Sequence, residues 1–164
     1  MPKAVTAQVE YNLFNNNRVD LGMVEACGKR QCDVSMVART PLGGGGLAVK
    51  YFEEADMFSF NTDLRYYMFP GFQCRYNSEK CKSLTLEYQA MAKRYGMTVV
   101  ELALSWVYNR PHIAATLIGA TSEEQLFENV GALRFDMNDD LKAEIDEVIV
   151  SFCWRRALVF IFLT

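Results

Sequence analysis

The sequence has only one histidine, His112, among its 164 residues. This excludes a metal site built from several histidines, and a Ser-His or Cys-His nucleophile pair would have to use this one residue. His112 follows Arg110-Pro111, and the proline is expected to end the preceding helix. We therefore predict that His112 lies in a short loop and has no functional role.

Paired cysteines and an excess of positive charge are also missing. The five cysteines are odd in number and form no C-x-x-C pair, so neither a disulfide framework nor a metal site is expected. Reduced thiols favour a cytoplasmic protein. Lys and Arg total 17 against 20 Asp and Glu, and the net charge of −3 offers no basic surface for nucleic acid or an anionic membrane.

Apolar runs long enough to cross a membrane are absent as well. Residues 148–164 are apolar, but Arg155-Arg156 divides them into two pieces that are each too short for a bilayer. The first residues lack the charged and apolar regions of a secretory signal. We expect no membrane partner, and we interpret residues 151–164 as an atypical apolar tail after a domain of residues 1–150.

Strand-like and helix-like segments alternate along most of the chain. β-Branched or continuously apolar residues predict strands near 4–10, 33–39 and 113–118, the last of them fully buried. Apolar residues three or four apart predict helices between and after them. Three of these helices have N-caps at Ser78, Thr98 and Ser122. This order predicts an α/β fold with consecutive parallel strands.

Residues 51–76 do not fit the alternation. Nine aromatic residues fall within this segment, around Pro70-Gly71, without a steady period. The segment is too apolar for a solvated linker, so we expect it to be an excursion that packs on the domain.

Two glycine-containing segments follow predicted strands. Thr40-Pro41-Leu42 and the four glycines 43–46 follow the second strand, and Gly119-Ala120-Thr121-Ser122 follows the third. Glycine lets a backbone approach a ligand closely, and free N–H groups at a helix start bind anions. Both segments suit a phosphate, and both are also typical of an ordinary turn or helix cap. Glu123 and Glu124 suit a helix start without a ligand and would repel a phosphate that they faced.

The order and wording of four segments resemble the aldo-keto reductase family. In chain order they are QVEYNL (8–13), VARTPLGG (37–44) through Lys50-Tyr51, FPGF (69–72) with Arg75-Tyr76, and IGATSEEQL (118–126) with Glu128-Asn129-Val130. The similarity is greatest to the branch that includes bacterial-type reductases and the β subunits of voltage-gated potassium channels. It covers residues 4–150.

The resemblance implies both a fold and a cofactor. Members of this family are (β/α)8 TIM barrels that bind NADP(H) at the carboxyl ends of their strands and reduce aldehydes or ketones. The segments matched here correspond to barrel strands six to eight with their helices, which is a partial TIM barrel.

The same resemblance assigns residues to the nicotinamide and pyrophosphate. Gln8 resembles the residue that hydrogen-bonds the nicotinamide carboxamide. Arg39 stands where the family usually has an aromatic side chain stacked on the nicotinamide ring, and a cation there disfavours the positively charged oxidised ring. Lys50 matches a lysine that reaches the phosphates. The pyrophosphate loop matches Thr40, Pro41, Leu42 and Gly44.

The adenosine end of the cofactor is the last part that the resemblance assigns. The residues that hold it in the family match Gly119, Thr121, Ser122, Gln125, Glu128 and Asn129. Many relatives carry Arg at the Gln125 position, where it pairs with the 2′-phosphate. The resemblance implies NADP(H), and the missing charge leaves the preference over NAD open.

The catalytic residues of the family are not among the matched segments. Its Asp, Tyr, Lys and His belong to the first four strands, and this sequence begins just before the sixth, so we assign no catalytic residue and expect this chain alone to be inactive. Three strands cannot close a barrel, and their open edges and inward side chains need cover from a second copy, a partner chain or the tail. We predict that the inward set is Val5, Ala7, Val34, Met36, Ala114 and Leu117.

Three interpretations follow from these observations. In the first, the chain is a truncated aldo-keto reductase-type oxidoreductase, whose full-length relatives reduce a small carbonyl substrate with NADPH. In the second, it is a non-catalytic nucleotide-binding or regulatory subunit, similar to a channel β subunit. In the third, it is the product of a faulty gene model and has no function.

Overall fold

A computed structural model describes residues 3–16, 19–28, 31–48, 76 and 78–161, with side chains described through residue 152. Its centre is a parallel sheet of three strands, β1 (Thr6–Glu10), β2 (Ser35–Arg39) and β3 (Ile113–Thr116), in the order β1-β2-β3. The predicted α/β class, parallel pairing and strand order are confirmed. The aromatic segment 51–75 and Lys50 lie outside the described residues.

Within the described residues, five α-helices accompany the strands. They are α1 (Val24–Cys27), α2 (Glu79–Arg94), α3 (Val99–Tyr108), α4 (Glu123–Gly131) and α5 (Asp139–Ile161). A π-helical stretch, Val19–Met23, leads into α1. The helix predicted after the first strand is therefore part π-helix and part α-helix, and its α-helical part has only 4 residues. Two short 3-10 turns, Gly43–Gly45 and Ala132–Arg134, complete the described elements.

The N-caps predicted from the sequence begin α2, α3 and α4. Ser78 Oγ accepts from the Cys81 N–H at 3.2 Å, and Ser122 Oγ accepts from the Gln125 N–H at 3.4 Å. At Thr98 the capping is reciprocal: its Oγ1 accepts from the Glu101 N–H, and its own N–H donates to Glu101 Oε2. These bonds satisfy N–H groups that have no partner inside the helix.

The hydrophobic core lies between one face of the sheet and the helices. Helix α3 is buried from Val99 to Val107, and the ring of its Trp106 stacks on Tyr11 with centroids 4.9 Å apart. Leu141 and Ile145 of α5 close the core from another side. Burial of each large apolar side chain contributes about 1.5 to 3 kcal/mol, so these helices fix the position of the strands.

The other face of the sheet is open to solvent. Gln8 pairs with Val37, and Val37 pairs with Ala115, so the three side chains lie on the same face of the sheet. On this face Gln8 and Ala115 are exposed. The prediction that Ala7 and Met36 are uncovered is wrong, because the alternation of side chains along a strand turns them to the opposite face, where Met36 is 3% exposed.

Strand β3 is shorter and more exposed than predicted. It ends at Thr116, Ala114 and Ala115 are exposed, and Leu117 is 47% exposed. A continuous apolar run is typical of a parallel strand covered on both faces, but the helices within the described residues pack against one face of this sheet.

The last described helix passes through the boundary predicted at residue 150. Helix α5 is continuous from Asp139 to Ile161, so residues 151–161 extend it. Within the described parts of the chain, we find no helix with the length and apolar character needed to span a membrane.

Candidate functional site

The carboxyl ends of the three parallel strands lie along one edge of the sheet. Glu10, Arg39 and Thr116 are the last residues of β1, β2 and β3. The chain leaves this edge through residues 40–48 after β2 and through residues 117–122 after β3. Both glycine-containing segments therefore start from the same edge, as parallel pairing requires.

The segment after β2, which we call the glycine loop (residues 40–46), is a tight and largely buried turn. Its shape is held by two backbone bonds of 3.0 Å, from the Gly43 N–H to the Thr40 carbonyl and from the Gly45 N–H to the Leu42 carbonyl. Gly43 and Gly44 have φ values of 58° and 65°. A Cβ on Gly43 would lie 2.8 Å from the Phe14 ring, so this position excludes any side chain.

Five polar residues connect the glycine loop to β1, and we call them the strand-end cluster: Glu10, Asn12, Arg39, Thr40 and Tyr76. Asn12 is fully buried, and its Nδ2 donates to the Thr40 carbonyl at 3.0 Å and to the Tyr76 hydroxyl at 3.3 Å. Arg39 Nη2 donates to Glu10 Oε2 at 2.9 Å, and the Tyr76 hydroxyl donates to Glu10 Oε1. Bonds between residues far apart in sequence thus fix the loop.

Burial governs the ionisation of Tyr76 in this cluster. Desolvation raises the pKa of Tyr76 to about 12, and the hydrogen bond to Glu10 acts in the same direction, while the bond from Asn12 opposes them. The hydroxyl therefore remains a proton donor to Glu10 at neutral pH.

The remaining predicted residues of this region have distinct positions. Gln8 is exposed on the open face of β1, two residues before the strand end. Pro41 is buried, and Leu42 packs against the core. Gly44 lies within the short 3-10 turn Gly43–Gly45 and is half-buried.

The segment after β3, the α4 start (residues 119–125), is exposed and held by short-range bonds. Gln125 Oε1 accepts from the Thr121 N–H at 3.0 Å and from Thr121 Oγ1 at 3.1 Å. Hydrogen bonds from Ser122 and from its own backbone N–H lower the pKa of Glu124. The charged form of the Glu124 carboxylate is therefore favoured at this helix N-terminus.

Glu128 and Asn129 lie later in α4 and bond to Thr98 and Gly119, respectively. Thr98 Oγ1 donates to Glu128 Oε1 at 2.7 Å, which ties Glu128 to the start of α3. Asn129 is 2% exposed, and its Nδ2 donates to the Gly119 carbonyl at 3.2 Å. Glu128 thus bonds the N-cap residue of α3, whereas Thr121 and Ser122 bond within the α4 start.

Sequence reasoning missed Glu10, Asn12 and Tyr76 as site residues. All three fall within the segments that carry the family resemblance. Only the fold reveals that Glu10 bonds Arg39, that Asn12 bonds Thr40, and that Tyr76 bonds both Glu10 and Asn12. A buried asparagine directly after a strand end is the signal that could have identified Asn12, since buried polar side chains need partners.

His112 lies in a turn before β3, as predicted, but a carboxylate lies near it. Its Nε2 is 3.5 Å from Asp20 Oδ1. Burial lowers the pKa of His112, with Arg110 acting in the same direction and Asp20 opposing both. Among the described residues, no cluster of three or more His, Cys, Asp or Glu could hold a metal ion. We find no nucleophile beside His112 in the described part of the chain.

Comparisons with known proteins agree with this arrangement. Residues 1–150 match the Aldo/keto reductase family. The chain is 34% identical over 153 residues to a protein named Aldo-keto reductase from Babesia bovis, covering 92% of this chain and 52% of that protein. It is 32% identical over 148 residues to Protein tas from Escherichia coli K12, covering 90% of this chain and 40% of that protein. The chain thus spans about half, or less, of the length of these relatives.

Proposed function

The chain belongs to the aldo/keto reductase family, and from this membership we propose that its strand ends bind NADP(H) as the cofactor-binding part of an oxidoreductase. The observation that carries the proposal is the glycine loop, a turn whose shape is fixed by hydrogen bonds within the protein. The strand-end cluster ties this turn to β1 through the bond from Asn12 to the Thr40 carbonyl. A preorganised loop loses little conformational entropy when it binds a ligand.

The residues at the sheet edge suit a dinucleotide. We propose that the amide of Gln8 bonds the nicotinamide carboxamide and that the planar guanidinium of Arg39 packs on the ring. The glycine loop and Lys50 would then take the pyrophosphate, and the α4 start would take the adenosine end. When bound, the reduced cofactor supplies a hydride to a carbonyl carbon, and the residues of this chain hold and orient it.

The α4 start fits the adenosine ribose better than a 2′-phosphate. Glu124 accepts hydrogen bonds at this helix N-terminus, and Gln125 directs its amide oxygen towards Thr121. A second anion here would meet a carboxylate instead of a guanidinium, which weakens the discrimination between NADP and NAD. We therefore propose that the site discriminates little between NADPH and NADH.

The described tyrosines support the expectation that this chain alone does not reduce carbonyl compounds. Tyr11 is fully buried against Trp106, and its hydroxyl donates to Asp20. Burial raises the pKa of Tyr11 above its ordinary value. The Tyr76 hydroxyl donates to Glu10. A general acid must give its proton to the substrate, so neither hydroxyl is available without breaking an internal bond.

Cofactor titration tests the proposed function. We expect measurable binding of NADPH, and weaker binding after the double change Ser122→Ala with Gln125→Ala, since both side chains hold the α4 start in shape. The matched control is Asn138→Ala, because Asn138 caps α5 with a similar bond to the Leu141 N–H and lies beyond the far end of α4. Isothermal titration calorimetry that shows no binding of either nucleotide by the unchanged chain would refute the proposal.

The open face of the sheet supports a second proposal, that another polypeptide covers it. Gln8 and Ala115 are exposed on that face, and Leu117, directly after β3, is 47% exposed. Elsewhere on the surface, Val5, Phe127 and Leu133 are 73%, 75% and 65% exposed. Large exposed apolar surface marks interaction sites. We propose that a second copy of this chain or a partner chain provides the cover. Light scattering of the isolated chain should show self-association or aggregation, and a stable, dispersed monomer would contradict this proposal.

A further inference from the structure

The charge of Arg39 is balanced by a carboxylate in the strand-end cluster. Arg39 Nη2 donates to Glu10 Oε2 at 2.9 Å, and its Nη1 donates to Thr40 Oγ1 at 3.3 Å. The Glu10 side chain is 10% exposed, whereas that of Arg39 is 40% exposed. The guanidinium therefore faces the solvent side of the edge, and the carboxylate lies beneath it.

Glu10 is held in this position independently of Arg39. The Tyr76 hydroxyl donates to Glu10 Oε1 and Arg39 Nη2 donates to Glu10 Oε2, so both carboxylate oxygens accept hydrogen bonds within the cluster. Tyr76 is itself fixed by the buried amide of Asn12 and by stacking on Phe14, with centroids 5.5 Å apart. Because the Glu10 carboxylate is fixed beside the guanidinium, its negative charge offsets the positive charge of Arg39.

We propose that Glu10 is a specificity-determining residue that sets the relative affinity for the oxidised and reduced cofactor; this inference rests on the cofactor site proposed above. The oxidised nicotinamide ring carries a positive charge and the reduced ring carries none. An isolated guanidinium against the ring would therefore disfavour only the oxidised form. With Glu10 beneath it, Arg39 supplies a flat surface without the repulsion, and the site accepts both forms.

The test compares dissociation constants for NADPH and NADP⁺ in wild type and variants, measured by cofactor fluorescence and calorimetry. In Glu10→Gln the side chain keeps its shape and an oxygen that accepts from Tyr76, but the negative charge is lost. We expect the ratio Kd(NADP⁺)/Kd(NADPH) to rise roughly fivefold, the size of the interaction between two unit charges about 4 Å apart in water.

Two further variants make the test independent of folding defects. Arg39→Gln removes the cation and leaves the carboxylate, so the ratio should fall below the wild-type value. The double variant Glu10→Gln with Arg39→Gln removes both charges, so its ratio should return to near the wild-type value. Circular dichroism and thermal unfolding show whether each variant is folded.

The outcomes separate this inference from the proposed function. If wild type binds NADPH but Glu10→Gln weakens both forms equally, Glu10 is only structural and the inference is wrong. The inference is also wrong if the ratio Kd(NADP⁺)/Kd(NADPH) is unchanged in both single variants. If wild type binds neither nucleotide, the proposed function fails and this inference fails with it.

Discussion

The glycine loop and the α4 start look alike in sequence but are built differently. Each combines glycine, a threonine and a position after a parallel strand. The glycine loop is largely buried and is held by Asn12 and Tyr76, which are distant in sequence. The α4 start is exposed and is held mainly by bonds that span four residues or fewer, with one longer bond from the buried Asn129 to the Gly119 carbonyl.

The glycine loop and the α4 start show that similar sequences after a parallel strand can form either a rigid or an adaptable segment. Buried hydrogen bonds cannot exchange with water, so the glycine loop keeps its shape as long as the core is intact. Exposed local bonds compete with water and contribute little individually. We therefore expect changes in the glycine loop to reduce stability and changes in the α4 start to affect mainly ligand binding.

The largest expected effect is that of Asn12→Ala. The change removes the amide that bonds the Thr40 carbonyl and the oxygen that accepts from the Phe14 N–H at 3.0 Å. We expect the free energy of unfolding to fall by about 3 to 4 kcal/mol, since each buried group left without a partner costs about 1 to 3 kcal/mol. Urea unfolding measures it. The matched change at the other edge, Gln125→Ala, should cost less than about 0.5 kcal/mol; equal losses would remove the distinction between the two edges.

A series of Gly→Ala changes gives the next largest effect. Gly43 has φ of 58° and no room for a Cβ, Gly96 has φ of 71° but open space around it, and Gly119 has open space and no positive φ. We expect losses of about 2 to 3 kcal/mol at Gly43, about 1 kcal/mol at Gly96 and close to none at Gly119. Thermal unfolding of the three variants measures the order, and a loss at Gly119 as large as that at Gly43 would contradict it.

The smallest expected effect is a titration at the α4 start. Because Ser122 and a backbone N–H lower the pKa of Glu124 from its ordinary value of 4.5, this carboxylate stabilises the fold at higher pH, and the stabilisation is lost as pH falls through the lowered folded pKa. Ser122→Ala should move the Glu124 pKa up towards 4.5. NMR titration of the carboxyl carbon follows it, with Glu123 as the internal reference; an unmoved pKa would show that Ser122 does not act on Glu124.

Much of the fold could be predicted because its determinants are local. The N-caps at Ser78, Thr98 and Ser122, the apolar spacing of α2 and the alternation of strands and helices are all properties of short segments. The prediction was wrong for the uncovered side of the sheet, where Met36 lies in the core, and for β3, where Ala114 and Ala115 are exposed. Those outcomes depend on which layers pack against each face.

For the candidate site, the sequence by itself determined which segments meet at the edge: parallel strands place their carboxyl ends together, so Thr40 and Gly119 had to start from one side. The tertiary structure alone decided which hydrogen bonds hold that edge in place and which charged side chains meet there. Glu10 bonds Arg39 across 29 residues of sequence and Tyr76 across 66, and only packing brings them within hydrogen-bond distance. The physical reason is that a helix cap needs only its neighbours along the chain, whereas bonds between distant segments form only when the core holds those segments together.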